Sequence, residues 1–289
     1  MISSVNKILY YSTFREYVGN LHREIKIALT SIPKPAKWIF LVGCYNSGTT
    51  LLSAMLGQHK DISALPTEGH FLTDQFVKDY EVGLPRMWSG REELFRLTEK
   101  DAGPDPMRVK KEWGMRLDLS KPVLLEKSPS NSVRMRWLNH HFRPAYFVCI
   151  IRNGYAVSEG IRRKAEPKHL RDGWPISMAA YQWHRTYEVI KEDAKYIQNI
   201  LYIKYEDLVS DPENELNKIS DFIGLKPFQN LDTQRAISIH ERNEPLKNFN
   251  EDSIRRLSFE DIEIINEISR ETLDSYGYEV LRTTAAQKN

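Results

Sequence analysis

The run Ala145-Tyr-Phe-Val-Cys-Ile-Ile151 constrains the fold more than any other part of this chain. A strand built from it is apolar on both faces, so it belongs in the middle of a sheet that is covered on both sides. The sequence around it has the units for such a sheet. Trp38-Ile-Phe-Leu-Val42, Pro122-Val-Leu-Leu-Glu126 and Ile200-Leu-Tyr-Ile-Lys204 read as further strands. Helical patterns separate them: Thr49 to His59, Asn131 to Phe142, a helix from about Tyr155, and a long one from Ile176 to Ile197. Asp211-Pro212 opens another helix that runs to Gly224, with Asp at the cap and Pro at the first position. A last helix covers Phe259 to Tyr276. Strands alternating with helices predict an α/β fold, a central parallel β-sheet covered by helices.

The whole chain, 1–289, reads as one domain. It divides into an N-terminal helical arm (1–35), a core (36–225) and a C-terminal irregular segment with a helix (226–289). In the arm, Ile8, Leu9, Phe14, Val18, Leu21, Ile25 and Leu29 recur at helical spacing before Ser31-Ile-Pro-Lys-Pro35 stops the helix. That apolar stripe suits homodimerisation, contact with a membrane surface or packing on the core, the last being the default. Leu84 to Gly114 fits the alternation poorly and reads as an insertion over the site, and Gln229 to Asn250 is similarly irregular.

Subtracting 39 acidic from 41 basic residues leaves a net charge of +2, which gives no general field for binding nucleic acid. No apolar run approaches the about 20 residues of a membrane-spanning helix, and Met1 to Lys26 has no secretory apolar core. Cys44 and Cys149 both sit within apolar runs and read as buried reduced thiols. A soluble, cytoplasmic protein is expected.

The most informative stretch for function is Leu41-Val-Gly43-Cys-Tyr-Asn46-Ser47-Gly48-Thr49-Thr50. Two glycines five apart, between a strand and a helix, turn backbone N–H groups toward one anion at a helix N-terminus. The lysine that a nucleoside triphosphatase places after the second glycine is absent, and Thr49 stands there instead. The loop therefore suits a phosphate held by amides and by the hydroxyls of Ser47, Thr49 and Thr50, without a metal. The central strand ends in Arg152, where a metal-binding strand would end in Asp. A guanidinium there makes a fork for a second phosphate. Ligands of open parallel sheets bind beyond the carboxyl ends of the strands, so Arg152 and the loop are expected to face one crevice.

These residues carry a family resemblance. Asn46-Ser-Gly-Thr-Thr50 resembles the 5′-phosphosulfate loop of sulfotransferases that use 3′-phosphoadenylyl sulfate (PAPS), and Ile151-Arg-Asn-Gly-Tyr-Ala-Val157 resembles their 3′-phosphate motif. Leu125-Glu-Lys-Ser-Pro129, Ile203-Lys-Tyr-Glu-Asp-Leu-Val-Ser-Asp-Pro212 and Asp221-Phe-Ile-Gly-Leu225 follow in the family's order, closest to its bacterial and Golgi-type members. The resemblance implies a P-loop-like three-layer fold, PAPS as sulfuryl donor and an acceptor hydroxyl, with a carbohydrate favoured. It implies that Ser47 to Thr50 hold the 5′-phosphosulfate, that Arg152 holds the 3′-phosphate and that Tyr205 lies near the nucleotide. Ser158, or one of Arg162, Arg163 and Lys164, would complete the 3′-phosphate pocket. Glu68, in Pro66-Thr-Glu-Gly-His70, falls where Golgi-type members carry their catalytic Glu; His70 is the rival base, and Lys127 is the expected cation.

The chain departs from the family at Asn46, where related enzymes carry Lys or Arg, and at Gly160, where they tend to carry Ser. Two other readings remain at this point. A non-catalytic nucleotide- or glycan-binding homologue would have lost its activity at Asn46. A P-loop kinase would need both the missing lysine and an Asp in place of Arg152.

Overall fold

The computed structural model of the chain describes residues 19–164, 173–229, 231–233 and 246–282. Its strands are β1 (Lys37–Val42), β2 (Ile62–Ala64), β3 (Val123–Lys127), β4 (Ala145–Ile151) and β5 (Ile200–Lys204). They form one parallel sheet in the order β2-β3-β1-β4-β5. The helices are α1 (residues 19–29), α2 (Thr49–Leu56), α3 (Glu92–Phe95), α4 (Pro106–Gly114), α5 (Met135–His141), α6 (Gly154–Lys164), α7 (Ile176–Ala194), α8 (Tyr205–Ser210), α9 (Pro212–Ile223), α10 (Asn250–Ile254) and α11 (Phe259–Ser275).

The pleat sorts each strand's side chains between two cores. Trp38, Phe40 and Val42 of β1 and Phe147, Cys149 and Ile151 of β4 face one layer, where Tyr155 and Ile161 of α6, Trp183 of α7 and Leu273 of α11 meet them. Ile39 and Leu41, with Val148 and Ile150, face the other, against Leu52 and Met55 of α2, Leu208 of α8 and Leu216 of α9. Burial on both faces is why β4 reads as an unbroken apolar run. The Asp211 carboxylate caps α9 by accepting the Asn214 N–H at 3.2 Å, and Gly224 ends that helix at φ 64°.

Several expectations need correction. β2 has no counterpart among the four strands read from the sequence, because three residues are too few to show a period. Among the arm residues, Ile8, Leu9, Phe14 and Val18 lie outside the described residues. Leu21, Ile25 and Leu29 are 51%, 50% and 80% exposed, whereas Ile27 is buried, so the expected stripe does not face the core. Ion pairs select the inward face of α1 instead: Arg23 bonds Asp74 at 3.0 Å and Arg108 bonds Glu24 at 2.7 Å.

Leu84 to Gly114 reaches the site only at Arg86, and most of the segment belongs to the core. Met87, Trp88, Phe95, Val109 and Trp113 are buried in the first core, so the segment's aromatic content reflects packing. Cys44 and Cys149 are buried free thiols, and burial pushes the Cys44 thiol up to about 12. Among the described residues, no helix is long and apolar enough to cross a membrane.

Candidate active site

Because the strands are all parallel, their carboxyl ends share one edge of the sheet, and each delivers a residue to it. The loop 43–48 leaves β1, Glu68 follows β2, Lys127 ends β3, Arg152 follows β4 and Tyr205 follows β5. One cavity lies there, with Tyr45, Asn46, Gly48, Thr49, Thr50 and Glu68 in its wall. Arg86, Arg152, Gly160, Arg163, Lys164 and Tyr205 also line it.

Close packing fixes the path of the loop. A Cβ on Gly43, at φ 143°, would stand 2.4 Å from the Ile150 carbonyl oxygen, so the loop can leave β1 pressed against β4 only without a side chain. Gly48, at φ 97°, lies flat on the Tyr205 ring, which a Cβ would meet at 2.7 Å. Asn46 between them has φ 62°, and its side-chain Nδ2 is buried with no hydrogen-bond partner among the described residues. A buried, unused donor in a cavity wall is unfavourable unless a ligand supplies the acceptor.

Arg152 closes the other side of this loop. Its Nη1 donates to the Asn46 carbonyl at 2.9 Å and its Nε to Asn250 Oδ1 at 2.8 Å, while the guanidinium lies 4.2 Å from the centre of the Tyr205 ring. Asn250 donates in turn to Glu206, which also accepts the Asn153 N–H and the Tyr278 hydroxyl. These bonds fix the position of the guanidinium. The guanidinium sits at the mouth of the loop, as the strand-end position predicts.

A second cluster forms around Lys127. Its Nζ donates to Thr50 Oγ1 at 3.1 Å and to Glu68 Oε1 at 3.0 Å, so one nearly buried cation bridges the loop and the carboxylate. Behind it, Glu126 is fully buried and accepts from the Gly69 N–H at 2.9 Å, from Asn131 Nδ2 at 2.6 Å and from the Ser128 hydroxyl. Glu126 thus fixes the turn that carries Glu68. Burial pushes its carboxyl up to about 7, although those donors and Lys127 pull the other way.

An acid raised in the folded state binds more protons there than in the unfolded chain, so stability falls as pH rises from about 4.5 to about 7 and is level above that. Relative to Glu126→Gln, the wild-type protein is expected to lose on the order of 2–3 kcal/mol between pH 5 and 8. Urea unfolding of both proteins at the two pH values checks this.

With this geometry in place, the comparisons with known proteins are informative. A model described as the sulfotransferase family matches residues 38–230. The chain belongs to the sulfotransferase family. The sulfotransferase domain of the Synechococcus PCC 7002 olefin synthase shares its fold at 20% identity and TM-score 0.54, covering 86% of this chain and 97% of that one. The corresponding domain of the curacin biosynthetic pathway does so at 18% and 0.52, over 84% and 98% of the two chains. Sulfotransferase STF9 from Mycobacterium avium matches at 14% and 0.59, over 91% and 81%. No curated protein matches the sequence.

Of the residues singled out from the sequence, Ser47, His70, Lys127, Ser158 and Arg162 stand outside the cavity lining, Lys127 meeting it through its bonds to Thr50 and Glu68. Ser47 is fully buried; its hydroxyl is 3.1 Å from that of Tyr187 and its N–H donates to the Cys44 carbonyl. Ser158 is likewise buried and donates to the Gly154 carbonyl at 2.7 Å, satisfying its own helix. His70 lies behind Glu68, with Nδ1 3.2 Å from the Ser128 hydroxyl and 3.6 Å from Glu68 Oε2. Burial, together with Arg134, Lys127 and Lys78, holds its imidazole well below the ordinary 6.5.

Of the three helical cations, Arg162 is tied to Asp261 at 2.7 Å outside the cavity; Arg163, tied to Glu159 at 2.8 Å, and Lys164 both line it. Sequence reasoning missed Tyr45, Arg86 and Lys247 in the cavity wall, and Glu126 and Asn250 behind it. Glu126 stood in a quoted motif and could have been found there as a carboxylate inside an apolar strand.

Proposed function

We propose that this chain transfers a sulfuryl group from PAPS to an acceptor hydroxyl, with a carbohydrate favoured, and releases adenosine 3′,5′-bisphosphate. The observation that carries this reading is Lys127, held at 3.1 Å from Thr50 of the anion loop and at 3.0 Å from Glu68. It puts a cation between the place for a leaving phosphate and a carboxylate able to take a proton.

The cavity fits such a donor on its own terms. Among the described residues, arginine and lysine side chains outnumber the one lining acid, Glu68, and the Asn46 amide has no acceptor. PAPS supplies the activated sulfuryl group. Gly48, Thr49 and Thr50 hold the 5′-phosphosulfate through backbone N–H groups and hydroxyls. Ser47 supports the loop from within the core. Arg152 and Lys164 hold the 3′-phosphate, and Tyr205 backs Arg152 and the loop.

Glu68 accepts the proton of the acceptor hydroxyl as its oxygen bonds to sulfur and the bond from sulfur to the bridging phosphate oxygen breaks. Lys127 offsets the negative charge that gathers on that oxygen, the task for which Asn46 lacks the charge. Asn46 donates a hydrogen bond without neutralising anything.

Incubating the purified protein with PAPS carrying labelled sulfate and a panel of glycans tests the reading. Label is expected to move to a glycan hydroxyl with release of the bisphosphate. Binding of the bisphosphate with no transfer to any acceptor would leave a non-catalytic binder.

A further inference from the structure

Two non-glycine residues among those described adopt left-handed backbone conformations, Asn46 at φ 62° and Arg86 at φ 60°, and both line the same cavity. Strained backbone of this kind persists where the surroundings enforce it, and it gathers at ligand sites. Asp79 enforces it at Arg86 by accepting the Arg86 N–H at 2.8 Å, and Trp174 holds the preceding residue by donating to the Pro85 carbonyl at 2.8 Å. The structure thus invests in aiming a side chain that no sequence motif singled out.

The Arg86 guanidinium has no carboxylate partner among the described residues. Glu68, the one acid among the described lining residues, is paired with Lys127. Arg162 and Arg163 nearby are both neutralised by protein carboxylates. Asp79 also neighbours Tyr45, which is 3% exposed and lines the cavity; the buried Tyr45 hydroxyl leans toward the Asp79 carboxylate without making a close hydrogen bond. Burial and the neighbouring Asp79 and Glu68 carboxylates hold its phenol well above the ordinary value, so it stays a donor. Arg86, Asp79, Tyr45 and Glu68 therefore form one neighbourhood at the proton-accepting end of the cavity. The two phosphate ends of the nucleotide already have Arg152, Lys164 and Lys127, which leaves Arg86 and Tyr45 over.

We propose that Arg86 and Tyr45 form an anion-recognising subsite for the acceptor, so that the hydroxyl compound sulfated here itself carries an oxyanion, a carboxylate or a phosphate. This rests on the reading of Glu68 as the acceptor end of the site. A guanidinium fork and a phenol donor make a bidentate-plus-one arrangement suited to either group. Neutral sugars would leave both donors desolvated and unmatched.

Calorimetry on the protein saturated with adenosine 3′,5′-bisphosphate tests this with three probes: methyl β-glucoside, methyl β-glucuronide and glucose 6-phosphate. At least one anionic sugar is expected to bind about tenfold or more tighter than the neutral one, consistent with a charge-assisted contact. Comparing the glucuronide with the phosphate tells which oxyanion is preferred. Arg86→Ala should abolish the preference and Tyr45→Phe, which keeps the ring packing, should reduce it, with bisphosphate affinity unchanged in both.

Equal binding of neutral and anionic sugars, or no measurable binding of any of them, overturns the proposal. So does a preference that survives Arg86→Ala, or a loss of bisphosphate or PAPS affinity in that variant, which would place Arg86 in the nucleotide pocket. If the bisphosphate itself fails to bind the wild-type protein, the nucleotide reading falls; the sugar titrations without it still decide the subsite.

Discussion

Arg152→Ala is expected to weaken binding of adenosine 3′,5′-bisphosphate by about 100- to 1000-fold, on the order of 3–4 kcal/mol, as for truncation of one partner of a charge-assisted pair. The size of the effect follows from preorganisation. Asn250 and the Asn46 carbonyl hold the guanidinium at 2.8 and 2.9 Å and the Tyr205 ring backs it, so little side-chain freedom is lost on binding. The substitution also releases a clip on the loop, and that part of the loss falls on every nucleotide alike. Adenosine 5′-monophosphate, which differs from the bisphosphate only in lacking the 3′-phosphate, isolates the difference: its affinity should fall by less than about tenfold. Arg152→Lys keeps the charge but not the fork and should lie between. Calorimetry with the two nucleotides decides the matter, and equal losses would refute the 3′-phosphate assignment.

Glu68→Gln is expected to lower turnover by about 100- to 10,000-fold, the range of a lost general base. Bisphosphate affinity should change by less than about twofold, because Gln keeps the size of Glu68 and an oxygen for Lys127. The measurement is sulfate transfer from labelled PAPS to the best acceptor, beside a binding isotherm for the product. Retained turnover would remove Glu68 from the proton transfer. His70 would be a poor heir, being 1% exposed and held below its ordinary pKa by burial. A parallel loss of binding and turnover would instead make Glu68 a support for Lys127 and the loop.

Most of the sheet was legible in the sequence because its strands are buried on both faces. Trp38 to Val42 and Ala145 to Ile151 left continuous apolar runs, and the caps at Asp211 and Gly224 marked helix ends by local chemistry. The loop from Gly43 to Thr50 was legible because Gly43 and Gly48 combine positive φ with close packing that a Cβ would not allow, and glycine spacing is a local signal. Ile62–Ala64 was too short to show a period. Leu84 to Gly114 resembled a loop because its buried Trp88, Phe95 and Trp113 are spaced by irregular chain and not by a helix or strand repeat.

By itself the sequence determined which short segments build the sheet, where the glycine loop after β1 falls and which strand ends in a guanidinium. These are properties of adjacent residues, written in periodicity and in glycine position. The tertiary structure alone decided which hydroxyls face the cavity. Ser47 and Ser158 turn theirs into protein partners, while the buried Tyr45 hydroxyl in the cavity wall makes no close hydrogen bond among the described residues. It also decided that Lys127 joins Thr50 to Glu68, and that Arg86 stands in the same wall as Arg152. Such pairings join residues tens of positions apart, and only crossovers that bring parallel strand ends to one edge of the sheet can make them neighbours.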